Sequence, residues 1–373
     1  MLAFVLMATC TAATLLSLGA LAQVTRRRQR GTVQPAITVL KPLCGADDAL
    51  RANLEPFFRQ AYPGYELVFG VADARDPAVA VARELMAAHP DVPARLVVHD
   101  GRQGLNPKVA NLRGMLAAGG HDVCVISDSN IAVGPGYLAS MVAPLEGRVG
   151  LVMSLFHGAG ERTLGATLES LHLTGSVAGT LAASELLCGS AVAVGKSLLF
   201  RRSVFEELGG LESLGSVLAE DYLMGRMFTE AGYEVRIADE VVANVTVRQT
   251  VWAFVRRLAR WGLMRSRLKP LAYPLEPLLV PVAVAALVTA LGTDAELAFG
   301  WAAALTLVRD ATAWLLLRGR RGLLRALPLG LVKDVLVVAA WAAAPCKRHV
   351  SWRGRRLRVS AGSRLFAEER PGC

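Results

Sequence analysis

Val123-Cys124-Val125-Ile126-Ser127-Asp128-Ser129-Asn130 is an apolar run that ends in a carboxylate, a hydroxyl and an amide. The run itself predicts a buried strand over 123–127. In an open α/β sheet, ligands bind just beyond the carboxyl ends of the strands. A carboxylate at that edge can hold a hard divalent cation, and the cation can hold a diphosphate. Asp128 is therefore the first candidate metal ligand. A turn residue closing a buried strand would have the same sequence.

Working outward, strands and helices alternate. Ile37 to Leu40 is a β-branched run that Lys41-Pro42-Leu43-Cys44-Gly45 is expected to break. Asp47 or Asp48 can cap a helix carrying Leu50, Leu54, Phe57 and Phe58 on one face. Glu66 to Val71 is a second strand, ending at Ala72-Asp73-Ala74-Arg75-Asp76-Pro77, and a helix runs on to about Ala88. Arg95 to Val98 is a third strand. Gly104-Leu105-Asn106-Pro107-Lys108 opens a helix, with Pro107 at a position that helices accept. This alternation predicts an α/β fold with a parallel sheet and right-handed crossovers.

Further along, strands are expected at 150–155, ending near His157, and at 197–202, 235–237 and 241–247. Residues 164–183 form a long apolar helix whose Glu169 and His172 argue against a full membrane span. Glu220-Asp221-Tyr222 opens a helix that Gly232 ends. Residues 250–268 place Val251, Phe254, Val255, Leu258 and Trp261 against Arg256, Arg257, Arg260 and Arg267, a mix that suits a helix in a headgroup layer.

The bulk numbers ask for a membrane. The chain has 373 residues, 53% hydrophobic and 19% charged, too apolar for an ordinary soluble enzyme. Residues 1–24 read as an uncleaved transmembrane anchor, because Arg26, Arg27, Arg28 and Arg30 follow the apolar core instead of preceding it. Positive-inside logic puts the N-terminus outside and the following chain, a catalytic domain over 33–249, in the cytosol. Apolar segments at 275–292, 295–317 and 327–344 make a C-terminal membrane region, taken as 275–345. The last of them contains Lys333-Asp334 and can be read as crossing or as re-entrant. Arg309-Asp310 inside the second is costly in lipid unless paired. A basic tail, 346–373, follows.

The net charge of +10 is local. Seven basic residues and no acid lie between Arg248 and Lys269, and six more between Lys347 and Arg358. With no base-reading or stacking motif, these clusters point to an anionic membrane face and not to nucleic acid. Six scattered cysteines without a CxxC pair fit reduced cytosolic thiols. Gly189 to Ser197 ends in Gly-Lys-Ser but carries five intervening residues where a P-loop needs four, which excludes that ATP motif.

Each remaining candidate has a plain reading beside the functional one. Asp73 is a turn residue or an acceptor for a base N–H. Lys108 is a solvated helix residue or a contact for a diphosphate at a helix N-terminus. Asp221 favours a helix macrodipole or does chemistry. His157 is a satisfied histidine or a ligand.

Taken together, Asp73, Asp128, Asp221 and Arg257-x-x-Arg260-Trp261 occur in the order of the D1, D2, D3, (Q/R)xxRW series of membrane glycosyltransferases with a GT-A fold. The chain resembles most closely the ceramide glucosyltransferase group, family 21. Whole phrases carry the resemblance: Val71-Ala72-Asp73-Ala74-Arg75-Asp76-Pro77, Leu105-Asn106-Pro107-Lys108, Asp128-Ser129-Asn130-Ile131, Leu218-Ala219-Glu220-Asp221-Tyr222, and Val350-Ser351-Trp352-Arg353-x-Arg355-Arg356-Leu357-Arg358. It extends from about residue 36 to 360. Two departures stand out. Asn130 replaces the second acid of a DxD metal motif, leaving one metal ligand neutral. Arg257 replaces the Gln of processive synthases, which favours a single transfer.

The resemblance implies a GT-A-type domain with a Rossmann-like, mostly parallel sheet between N-terminal and C-terminal transmembrane helices. It implies UDP-glucose as donor, a ceramide primary hydroxyl as acceptor, and inversion to a β-glycoside. Asp73 would then recognise uracil. Asp128, with Asn130, would hold Mg²⁺ or Mn²⁺ against the diphosphate, helped by Lys108. Asp221 would be the general base. Arg257, Arg260 and Trp261 would bind the diphosphate and close the site, and His157 would line the acceptor pocket. The same resemblance extends to bacterial hopanoid-lipid enzymes that use UDP-N-acetylglucosamine. A processive synthase and a non-catalytic nucleotide-sugar-binding membrane protein are the more distant alternatives. The expected location is a bacterial inner membrane.

Overall fold

The computed structural model describes residues 1–29, 31, 33–46, 49–99, 104–352 and 355–367. The proposed cap at Asp47 or Asp48 lies outside them. Eight strands form one sheet: β1 (Ile37–Pro42), β2 (Tyr65–Val71), β3 (Ala94–Val98), β4 (Val123–Ser127), β5 (Ile131–Ala132), β6 (Val149–Ala159), β7 (Ser197–Arg201) and β8 (Glu234–Val245). Their order is β3-β2-β1-β4-β7-β6-β8-β5. The first four are parallel, as their helical crossovers require. The sheet is mostly parallel, as expected, and the departures lie beyond β4. β7 runs antiparallel to both β4 and β6, β8 runs parallel to β6, and β5 is antiparallel to β8.

That reversal matters for the site. Ser197, the first residue of β7, pairs with Ser127, the last of β4. The loop entering β7 is thereby brought to the edge at which β1, β2 and β4 end.

Two strand boundaries differ from expectation. β1 does not break at Lys41-Pro42: Lys41 pairs with Phe69 and Pro42 with Gly70. A proline at a strand's last residue costs no ladder bond that the strand needs, and Lys41 is fully buried. Residues 235–237 and 241–247 are not two strands but parts of the single β8. It stays paired to β6 through a register shift between Ser154 and Phe156.

The apolar faces of Ala78–Ala88 (Val79, Ala82, Leu85) and Pro107–Ala118 (Val109, Leu112, Met115, Leu116) close over this sheet. Residues 164–188 run as Leu164–His172, a π-helical turn at Leu173–Val177, and Ala178–Cys188. This unit carries buried Glu169 and Glu185 and is a core element.

The helix Val251–Leu268 buries Phe254, Leu258, Ala259, Gly262 and Leu263. Its apolar face therefore covers protein, packing with Leu168 and Ala340 at one end and against Leu218, Val350, Leu357 and Leu365 at the other. Gly165 permits the close approach of helix Leu164–His172 to its start. A Cβ there would lie 2.3 Å from the Thr250 carbonyl carbon and 2.5 Å from the Gln249 oxygen, both backbone atoms. Gly165→Ala should therefore lower stability by about 1–3 kcal/mol, the usual cost of overpacking. Thermal unfolding in detergent reads this out, with Gly300→Ala as control, since a Cβ at Gly300 meets nothing within 4 Å.

Among the described residues, one helix, Leu2–Arg26, is long and apolar enough by itself to cross a membrane. Tyr273–Leu279 and Pro281–Ala290 reach that standard only as a pair bent by 95°. Two further helices follow, Ala295–Arg318 and Gly330–Ala343. The N-terminal helix is docked to the sheet at its basic end, where Arg27 pairs with Glu185 at 3.0 Å and Asp239 at 3.2 Å. Residues 346–373 are more than a basic tail. His349–Trp352, Arg355–Val359 and Leu365–Ala367 form a three-stranded antiparallel sheet. Period-2 alternation buries Val350, Leu357, Val359 and Leu365 and turns Arg356, Arg358 and Phe366 outward.

Candidate active site

The cleft is built at the carboxyl edge of β1, β2 and β4. Asp128 follows Ser127 directly and is the hub. Lys108 Nζ lies 3.0 Å from its Oδ1 and Lys196 Nζ 3.1 Å from its Oδ2. Its backbone carbonyl accepts from Lys41 Nζ at 2.7 Å. Burial would raise the Asp128 carboxyl, but the two flanking ammoniums hold it down at about 2. The carboxylate is thus ionised throughout the neutral range. Burial pushes Lys41 well below the ordinary lysine range, opposed by Asp128. Its Nζ donates to Ser127 Oγ and sits 3.8 Å from the Phe57 ring centroid.

Lys108 is placed by its helix start. Asn106 caps that helix, its Oδ1 accepting from the backbone N–H groups of Lys108 and Val109, and Pro107 takes the first turn. Asn106 Nδ2 reaches in turn to Glu220 Oε2 at 3.1 Å. Lys108 Nζ is also 3.2 Å from Glu220 Oε1. Burial lowers the Lys108 ammonium, and Asp128, Glu220 and Asp221 together hold it above its usual value. Burial raises the Glu220 carboxyl against the pull of Lys108.

Asp221 is held by two backbone donors, Gly195 N–H to Oδ2 at 2.6 Å and Tyr222 N–H to Oδ1 at 2.8 Å. Gly195 has no side chain for a reason: a Cβ would stand 2.9 Å from Asp221 Cβ and 3.1 Å from Lys108 Nζ. The Gly195 carbonyl also accepts from Lys108 Nζ. One tight turn therefore connects the Asp128 and Asp221 halves of the cleft.

Arg257 forms an ion pair with buried Glu169 on the neighbouring helix. Burial and Arg260 lower the Arg257 guanidinium to about 10, while Asp128 raises it. Arg260 is also lowered by burial, and Glu220 opposes the shift. Both arginines thus feel the cleft's carboxylates. Trp261 is partly buried, 6.4 Å between ring centroids from His172.

Three expected residues stand apart from this cluster. Asp73, at the end of β2, is half exposed and paired with Arg75 at 2.9 Å in its own turn. It shares the carboxyl edge with Asp128, with β1 between their strands. Asn130 donates its amide to Asn244 Oδ1 at 3.2 Å and the Val245 carbonyl at 3.4 Å, so its nitrogen is turned toward β8. His157 sits near the end of β6, pairing in register with Ala243. Burial lowers its imidazole below the usual value, and Nδ1 lies 2.9 Å from the Gly158 carbonyl.

As a cation site, Asp128 offers a single carboxylate. Among the described residues, no group of three His, Cys, Asp or Glu gathers to cage an ion. Mg²⁺ is commonly held by one or two carboxylates together with substrate phosphates and water. The donor set fits an ion that shares Asp128 with a diphosphate, and does not fit a preformed protein cage.

Lys41, Glu169, Lys196 and Glu220 were not among the sequence candidates. Each had a signal. Lys41 and Glu169 are charges inside apolar runs that demand partners, Glu220 adjoins Asp221, and Lys196 is the lysine of the Gly-Lys-Ser that precedes the expected strand at 197–202.

The family model described as glycosyl transferase family 21 matches residues 1–365. Ceramide glucosyltransferase 1 of Caenorhabditis elegans is 30% identical over 255 residues, covering 65% of this chain and 53% of that protein. Ceramide glucosyltransferase of Komagataella phaffii is 36% identical over 113 residues, 29% of this chain and 22% of that protein. The match to the worm protein spans about half of that relative's length. Among solved structures, a mannosyltransferase from Pyrobaculum calidifontis in complex with GDP-Man and Mn²⁺ superposes with a TM-score of 0.54 at 20% identity, covering 92% of this chain and 97% of that one. That likeness speaks to the fold, the GT-A type of α/β domain.

Proposed function

We propose, from the premise that this chain belongs to glycosyltransferase family 21, that it is a membrane-bound inverting hexosyltransferase. It moves glucose from UDP-glucose to the primary hydroxyl of ceramide. The observation that carries this reading is the meeting of Asp128, Lys108 and the Glu220–Asp221 pair at one sheet edge. A nucleoside diphosphate needs cations and a hydroxyl nucleophile needs a carboxylate base, and here the two are joined through Gly195. The names of the matched relatives supply the sugar and the lipid.

Asp73 accepts the uracil N3–H, exchanging an exposed ion pair with Arg75 that is worth little in water. Lys108 contacts the diphosphate, and Arg257 and Arg260 approach it from the helix that closes the cleft beside Trp261. Asp128, with Asn130 beside it, would hold Mg²⁺ or Mn²⁺ at this edge. An ion held there would supply positive charge to offset the charge on the departing UDP. Asp221 takes the proton of the acceptor hydroxyl as its oxygen bonds to the anomeric carbon. The bond to the UDP oxygen breaks on the opposite face, UDP leaves with the electron pair, and the α-donor becomes a β-glycoside. His157, kept neutral by burial, lines the lipid side. The N-terminal helix and the C-terminal segments hold the domain on the cytosolic face of a bacterial inner membrane.

The test incubates membranes containing the chain with labelled UDP-glucose or UDP-N-acetylglucosamine and either ceramide or a hopanoid polyol. Labelled glucosylceramide is the expected product. N-Acetylglucosamine on the hopanoid would replace both substrates, a polymer would indicate a processive synthase, and no product with any pair would leave a binding protein.

A further inference from the structure

The Gly195-Lys196-Ser197 stretch is not a P-loop, since it opens a strand and not a helix. It nevertheless delivers a lysine to the centre of the cleft. Lys196 Nζ and Lys108 Nζ take the two oxygens of the same carboxylate, at 3.1 and 3.0 Å. Among the described residues Asp128 is the acid that Lys196 pairs with. Its side chain is only 14% exposed. Its backbone is fixed on both sides, because its carbonyl accepts from Asp128 N–H at 3.2 Å and Gly195 N–H is bound to Asp221. Only the side chain of Lys196 is free to change partner.

The consequence is electrostatic. An ion that coordinates Asp128 competes with both ammoniums for its two oxygens. A diphosphate entering beside Asp128 offers both ammoniums a second set of anionic oxygens, and lysine binds phosphate as a mobile point charge with three donors. We propose that Lys196 is a diphosphate-binding cation of this site, which moves from Asp128 to the donor's phosphates and so holds the nucleotide without a divalent ion. The inference rests on the reading of this cleft as a nucleoside-diphosphate-sugar site. It makes the divalent ion an addition to a built-in cation pair and not the sole counter-charge.

The experiment titrates UDP into the detergent-solubilised full chain by calorimetry, once with Mg²⁺ and once with EDTA. The unaltered chain should bind UDP in EDTA. Lys196→Met should lose about tenfold or more of that metal-free affinity, the effect of removing one charge-assisted hydrogen bond, and lose much less when Mg²⁺ is present. Lys196→Arg, which keeps the charge, should retain metal-free binding. Lys196→Gln carries the same expectation as Met if the apolar side chain disturbs the turn, and a melting curve for each variant reports folding. Unchanged metal-free binding by Lys196→Met and Lys196→Gln overturns the proposal. So does UDP binding that depends entirely on Mg²⁺ in the unaltered chain, which leaves the donor reading intact. No UDP binding under either condition overturns the donor reading itself, and this inference with it.

Discussion

Asp221→Asn should lower the rate of sugar transfer by about 10²–10⁴-fold, the contribution typical of a positioned general base, while UDP binding changes little. Among the described residues the carboxylate has no direct ion pair. It is oriented by the N–H groups of Gly195 and Tyr222, an arrangement that fixes its direction while leaving its remaining lone pairs available. Asparagine keeps the shape and one acceptor but cannot take a proton, and its NH₂ group must face one of those two donors. Some local loosening is therefore expected, and the measurement must separate it from lost chemistry. UDP titration does so, because the proposed diphosphate contacts are on Lys108, Asp128 and the arginines and not on Asp221. Glu220→Gln is the companion variant. Glu220 holds Lys108 at 3.2 Å, so its loss should raise the KM for the donor more than it lowers kcat. Transfer retained by Asp221→Asn would remove Asp221 from the base role. Equal losses of UDP binding in both variants would mean the pair is structural.

How much of this was legible in the sequence depended on whether a residue's role was local. Val123–Ser127 and the start of the helix at Pro107 were readable because buried β-branched runs and an Asn-Pro cap act within a few residues. The reversal at β7 was not, since Ser197–Arg201 is as apolar as a parallel strand and its direction is set by pairing with Val123–Ser127. Lys41 looked like a strand breaker because its partners, Ser127 and the Asp128 carbonyl, come from β4 and its end. Glu169 looked like an interruption in an apolar helix for the same reason, its partner Arg257 lying far along the chain. The C-terminal phrase was recognisable as a phrase. Its folding into a sheet against Leu218 depends on tertiary contacts, including the Ser363 hydroxyl accepting from Ala219 N–H just ahead of Glu220.

The largest stability effect is expected at four charges in the C-terminal helices. Arg309 Nε is 2.9 Å from Asp310 Oδ1 and its Nη2 is 2.9 Å from Asp334 Oδ1. Lys333 Nζ is 2.8 Å from Asp310 Oδ2 and 3.3 Å from Asp334 Oδ1. All four side chains are buried, and the Thr306 hydroxyl donates to Asp334. The quartet is neutral as a whole and charged if any one member is removed. Lys333→Met alone should therefore cost about 3–5 kcal/mol, since it strands an uncompensated buried carboxylate. For a domain of this size that corresponds to a fall in melting temperature of roughly 6 °C or more. Lys333→Met combined with Asp334→Asn leaves the Arg309–Asp310 pair intact and should recover much of the loss, giving a coupling between the two sites far above that of an exposed pair. Additive effects of the two changes would show that the charges do not act as a unit. The loss should also reach the cleft. Lys333 touches Ser176 in the π-helical turn, which continues the helix carrying Glu169, and Glu169 holds Arg257. A loosened quartet lets that helix shift, so weaker donor binding should accompany the lower melting temperature, and the double variant should restore both together.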